Sequence, residues 1–199
     1  SLQAGWQGLQ GAASLRLGSD GRIADAKLFL AGPDARPLGR LLGRRLGWTL
    51  PEAFWRVPLD LAASAAGPPA ALAAAVRLRL GDAHLEGAPV LDLPGRTLSG
   101  PLALRHPSAA RLLGLAGLPG LGRFLGEGSL AVAAETRLSA TELDLGGMQL
   151  GAGLLRAEGT LHLDMGAVPT VGGEIAASSL PLLLPDGMDD TPVEMAGLR

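Results

Sequence analysis

Metal ligation is the first chemistry to test, because imidazoles and carboxylates hold ions only at restricted spacings. The chain has three histidines, His84, His106 and His162. Their acidic neighbours at short spacing are the alternate-residue pairs Asp82/His84, His84/Glu86 and His162/Asp164. Alternate residues share a face on a strand, but two donors are short of a ligand set, so these groups read as ordinary solvated side chains. Asp186, Asp189 and Asp190 lack the ordered oxygen ladder and the glycine of a calcium loop and read as a flexible acidic end. The stretch Gly117-Leu118-Pro119-Gly120-Leu121-Gly122-Arg123-Phe124-Leu125-Gly126 has no Gly-Lys-Ser/Thr and no dinucleotide glycine spacing. None of the serines sits in a Gly-x-Ser-x-Gly elbow, and there is no cysteine to act as nucleophile or metal ligand. Aromatic residues make up only 3% of the chain, too few for the platforms that carbohydrate sites use. No carrier of catalysis is visible, so the expectation is a protein that is not an enzyme, with no cofactor and no metal.

The 199 residues are 47% hydrophobic, enough for a substantial core. Lys27 is the single lysine beside sixteen arginines, which together with the Ala/Leu/Gly bias reads first as coding bias. The net charge is −2 with both signs interspersed, so the electrostatic footprint of a nucleic-acid binder is missing. The most apolar window, Leu112 to Leu121, is about half the roughly 20 residues of a spanning helix and contains Pro119. No membrane span is expected here. The first residues, Ser1 to Trp6, lack a signal-peptide pattern and an initiator Met, so the chain reads as one continuous segment of a longer protein.

Positioning elements come from period-two alternation, the mark of strands with one buried and one wet face. In Leu155 to Leu163 the residues Leu155, Ala157, Gly159, Leu161 and Leu163 fall on one face; Arg156, Glu158, Thr160 and His162 fall on the other. The same pattern predicts strands at 13–17, 27–30, 57–65, 76–80, 84–91, 98–104, 130–132, 143–145 and 170–177. Turns are expected at Ser19-Asp20-Gly21, Gly67-Pro68-Pro69, Gly81-Asp82, Pro94-Gly95, Gly146-Gly147 and Gly172-Gly173. Strands follow one another at intervals of about 10 to 15 residues without long helical crossovers, so neighbours should pair antiparallel.

Two stretches have helical spacing instead. Asp34 is placed to cap a helix over about 34–47, with Leu38, Leu41, Leu42 and Leu46 opposite Arg36, Arg40 and Arg44. Pro37, Gly39 and Gly43 weaken it. Packing on a sheet is its first reading; contact of Arg36, Arg40, Arg44 and Trp48 with a membrane surface is the second. A further helix is expected to start at Pro107, with a last turn over Leu121 to Leu125, so short helices occupy about 107–125. The fold class is therefore mainly β: an antiparallel meander curled into a groove or a flattened barrel-like sheet, with two or three short helices. The expected division is 1–56 as N-terminal strands plus the amphipathic helix, 57–185 as the β-rich segment, and 186–199 as a flexible end.

The run Gly100-Pro101-Leu102-Ala103-Leu104-Arg105-His106-Pro107-Ser108-Ala109-Ala110-Arg111-Leu112-Leu113 resembles the C-terminal region of the AsmA family of bacterial envelope proteins. Gly126 to Val132, Gly151 to Leu161 and Gly172 to Leu182 extend the resemblance, which covers roughly residues 55–185. It implies a repeating β-groove in the periplasm, part of an inner-membrane-anchored protein of a Gram-negative bacterium. The function it implies is phospholipid transport between membranes or support of outer-membrane biogenesis. It carries over no catalytic residue. The partner expected is then a phospholipid or other acyl-chain lipid, with other envelope proteins beside it. Leu98, Leu102, Leu104, Leu130, Val132, Leu143, Leu145, Leu155, Leu161 and Leu163 are the expected lipid-facing residues. The alternative is a structural or protein-interaction β module whose core these leucines fill.

Overall fold

The computed structural model describes residues 2–6, 8–46, 51–117, 119–120, 128–164, 166 and 170–179. Its strands are β1 (Leu2–Trp6), β2 (Leu9–Leu17), β3 (Ile23–Gly32), β4 (Leu59–Gly67), β5 (Leu72–Leu80), β6 (Ala83–Gly87), β7 (Val90–Asp92), β8 (Thr97–His106), β9 (Leu130–Leu138), β10 (Glu142–Ala152), β11 (Leu155–Asp164) and β12 (Thr170–Ser179). They form one antiparallel sheet in the order β1-β2-β3-β4-β5-β6-β8-β9-β10-β11-β12, with β7 between β5 and β8. The sheet is an open meander, not a closed barrel: among the described residues β1 and β12 are its edges. β3 pairs with β4 from Ile23↔Gly67 to Gly32↔Leu59, so the sheet runs without a break from the 1–56 region into the 57–185 region.

The expected strand at 84–91 is present as β6 and β7, and Pro89 explains the division. Gly87 pairs Val76 and Val90 pairs Ala73, so the register is unchanged through Ala88-Pro89. Proline has no N–H to give the ladder, and the strand is interrupted there while its path continues. Two expected turns prove to lie inside strands. Gly146-Gly147 is a bulge in β10, where the register shifts between Leu145 and Met148 and Gly147 has φ 54°. Gly172-Gly173 lies in β12, opposite His162 and Leu161. A Cβ on Gly173 would strike the carbonyl oxygen of Thr160, and one on Gly159 that of Glu174. The glycines permit close approach of β11 and β12 rather than a reversal.

Three helices lie among the described residues as assigned elements: α1 (Arg36–Leu46), α2 (Glu52–Trp55) and α3 (Ala109–Leu115). Asp34 behaves as expected, its Oδ1 accepting the Arg36 N–H at 2.9 Å. Pro107 does not open α3. Ser108 is the N-cap, its Oγ accepting the Arg111 N–H at 3.2 Å, and Pro107 stands before it. The expected turn at Leu121 to Leu125 and the segment 186–199 lie outside the described residues.

The helices gather at one end of the sheet's apolar face. Leu9, Ala35 and Leu59 are buried there with Leu30, Leu38, Trp55, Leu78 and Leu80 against them. Ala83, Ala109, Leu112, Leu130 and Ala152 form the adjoining cluster with Phe54, Leu104, Val132, Leu150 and Leu155. Gly39 is the seat of the Trp55 indole: a Cβ there would come within 2.5–2.8 Å of its ring atoms. A residue that weakens the helix locally thus allows α1 and α2 to pack.

Candidate functional site

Alternation in each strand and register between strands combine to build one apolar face. Its clearest line is the row Gly11–Leu30–Leu61–Leu78–Leu85–Leu104–Val132–Leu150–Ala157–Ala177, in which each residue is the direct cross-strand partner of the next, and the backbone of Ala4 in β1 pairs with Gly11 at its start. At about 4.8 Å per strand the ten steps from β1 to β12 span roughly 48 Å. Towards the end away from the helices a second row runs Leu72–Leu91–Leu98–Leu138–Leu143–Leu163–Val171.

All ten leucine and valine positions expected to face lipid fall on this face, and the structure sorts them. Leu98, Leu143 and Leu163 stand in the outer row; Leu145 pairs Leu161, and Leu102 pairs Gly87. Leu104, Val132 and Leu155 pack against the helix-end cluster. Leu130 is a correction: it is buried in that cluster with Leu112 of α3, and so belongs to the core instead of the open surface. Sequence reasoning missed the other half of the face. Leu2, Leu15, Leu17 and Leu28 continue it through β1–β3, and Val171 and Ile175 through β12, all exposed. The alternation in 9–17 and 23–32 was the signal available for Leu15, Leu17 and Leu28, and the strand expected at 170–177 for Val171 and Ile175.

The amphipathic α1 is tied down by its first arginine. Arg36 pairs with both carboxylates: its Nε donates to Asp34 Oδ2 at 2.7 Å and its Nη1 to Glu52 Oε1 at 3.2 Å. Arg56 Nη2 meets the same Glu52 oxygen at 3.2 Å. The hydrogen bond from Arg36 holds Asp34 below the usual carboxylate range, and those from Arg56 and Arg36 do the same for Glu52. Arg36 is therefore committed to joining α1 and α2, while Arg40 is exposed. The Arg44 side chain and Trp48 lie outside the described residues.

The opposite face carries the charge. His162 and its sequence neighbour Asp164 were expected as solvated side chains; the partner of His162 is Asp144 on β10, with Nδ1 2.5 Å from Oδ1, and this contact raises the imidazole pKa. The two are in direct register across strands, which sequence spacing does not reveal. Among the described residues no group of three His, Asp or Glu side chains is arranged to hold a metal ion. The largest described hollow, about 900 Å³, also lies over this face, with Phe29, Ala62, Ser64, Lys27, Arg77 and Glu86 in its wall. Against the apolar face the described hollow is a smaller one of about 220 Å³ beneath α2 and α3.

His106 is the second correction. It is not a solvated residue of the wet face: it is 4% exposed at the helix-covered end, its Nδ1 2.6 Å from the Ser108 carbonyl oxygen. No described helix is long and apolar enough to cross a membrane. Comparison with family models, with curated proteins and with solved structures returned no match.

Proposed function

We propose that this chain is a non-catalytic segment of an AsmA-like envelope protein, in which the apolar sheet face shields acyl chains of phospholipid from water. The observation that carries the reading is the apolar surface itself. It crosses every strand position of an open sheet; α1–α3 pack on one end, its middle is half-buried, and Leu2, Leu15, Leu17, Leu28, Val171 and Ile175 are exposed at its two flanks. Apolar surface exposed as at Leu2, Leu15, Leu17 and Leu28 marks an interaction site for something equally apolar. Each methylene of an acyl chain laid on it would gain about 0.8 kcal/mol. The resemblance of residues 100–113 and 151–161 to the AsmA family supplies the lipid, the periplasmic setting and the link to outer-membrane biogenesis.

The second reading is a structural or interaction module, and the free edges β1 and β12 favour it, since unpaired strand edges add strands from partners. Native mass spectrometry of the segment purified from a bacterial periplasm, followed by organic extraction, separates the two. Co-purifying phospholipid that is lost in folded Leu161→Asp supports the lipid face. A folded Leu161→Asp that keeps its lipid refutes the assignment of that face, and a lipid-free wild type favours the interaction module.

A further inference from the structure

The cavity of about 220 Å³ beneath α2 and α3 has a composition unlike the open face. Phe54, Val57, Leu80, Leu112 and Leu115 make it apolar, and the His106 imidazole and the Arg111 guanidinium stand in the same wall. His106 is nine-tenths buried, and its Nδ1 bonds to Ser108, donating to the carbonyl oxygen at 2.6 Å in one tautomer or accepting from the N–H at 3.0 Å in the other. Among the described residues Nε2 has no hydrogen-bond partner and is not sealed from solvent, as an imidazole edge at an accessible cavity requires. Arg111 Nη1 donates to Asp82 Oδ2 at 2.9 Å, leaving Nε and Nη2 without a partner among the described residues. Asp82 also lines the cavity, so the one carboxylate there is already paired.

We propose that this cavity is a binding site for a small aliphatic monocarboxylate, its alkyl tail among Phe54, Val57, Leu80, Leu112 and Leu115 and its carboxylate at Arg111 with His106 alongside. A guanidinium offers a carboxylate paired donors in a plane, which an alcohol or an alkane cannot exploit. At the roughly 30 Å³ that a water-sized group occupies, the volume of about 220 Å³ holds about seven heavy atoms, the alkyl tail of octanoate, with the carboxylate itself at the mouth, where the Arg111 side chain is exposed. The site lies under the helices, apart from Leu161 and the outer leucine row, and neither result bears on the other.

Titration calorimetry of the whole segment with octanoate and with n-octanol tests it. Wild type should bind octanoate at least about tenfold more tightly than octanol, the difference a charge-assisted hydrogen bond supplies. Arg111→Gln, a change at an exposed ion pair that leaves the fold intact, should bring the two ligands level. Leu115→Trp, which fills the cavity, should remove the octanoate preference and the tight binding event, leaving only the weak, equal uptake of both ligands that the open apolar face gives, while circular dichroism stays native. Octanoate binding no tighter than octanol in wild type, a preference that persists in Arg111→Gln, or unchanged binding in folded Leu115→Trp would each overturn the proposal. Should Leu115→Trp fail to fold, Val57→Phe fills the same cavity from the opposite wall and is read the same way.

Discussion

Truncating two leucines on the same sheet face, Leu59→Ala and Leu28→Ala, measures how much of that face is covered. Leu59 is 2% exposed, enclosed by Leu9, Ala35 and the helix end; Leu28 on β3 is 45% exposed, with Ala13 and Ala63 as its cross-strand neighbours. A fully enclosed Leu→Ala change removes the transfer energy of three carbons and leaves a cavity, for about 3 kcal/mol. At Leu28 only about half of the side chain's transfer energy is at stake and no closed cavity forms, so the loss is about 1 kcal/mol. Urea unfolding followed by far-ultraviolet circular dichroism reads both, at unchanged m-value. In thermal terms the first variant should fall by roughly 6 to 12 °C and the second by about 2 to 4 °C. Equal losses would refute the reasoning, because Leu28 would then lie under a layer as complete as the one over Leu59, and the open apolar face would not exist.

Gly39→Ala opposes helix propensity to packing: propensity alone favours alanine by about 1 kcal/mol, whereas its methyl would collide with the Trp55 indole at a cost of about 1–3 kcal/mol. A net fall in Tm of about 2 to 4 °C, with a shift in tryptophan emission, is expected; a rise in Tm would remove the packing argument. The hydrogen bond to Asp144 raises the His162 pKa, so its contribution to stability is fully present below the unfolded value near 6.5 and is lost as pH rises through the raised folded value. Asp144→Asn should therefore lower the nuclear magnetic resonance titration midpoint of His162 and remove the corresponding stability loss on the alkaline side. An unchanged midpoint would show that the pair is not formed in solution.

Local chemistry made the strands readable. In Leu155 to Leu163 and Val76 to Leu80 the alternation of apolar and charged residues fixes which side chains share a face, whatever the neighbours are. Short connections then make the meander the simplest topology, and the β-sheet follows it strand by strand. Where a glycine pair served close strand approach or a bulge, as at Gly172-Gly173 and Gly146-Gly147, the same residues read as turns, because the need for an absent side chain arises only when another backbone arrives. Pro107 likewise read as a helix start, although the adjacent Ser108 supplies the capping oxygen.

The sequence by itself determined the composition of each strand face, the antiparallel class and the helix at Asp34, since all three rest on contacts within a few residues. Only the tertiary structure decided which leucines are core and which are open. Leu130 and Leu163 occupy equivalent apolar positions on their strands, and α3 covers the first and not the second. The same holds for the histidines: register carries His162 to Asp144, and the helix-covered end encloses His106. Those partners lie 18 or more residues away or on another element, at separations where burial depends on how layers dock and no local pattern records it.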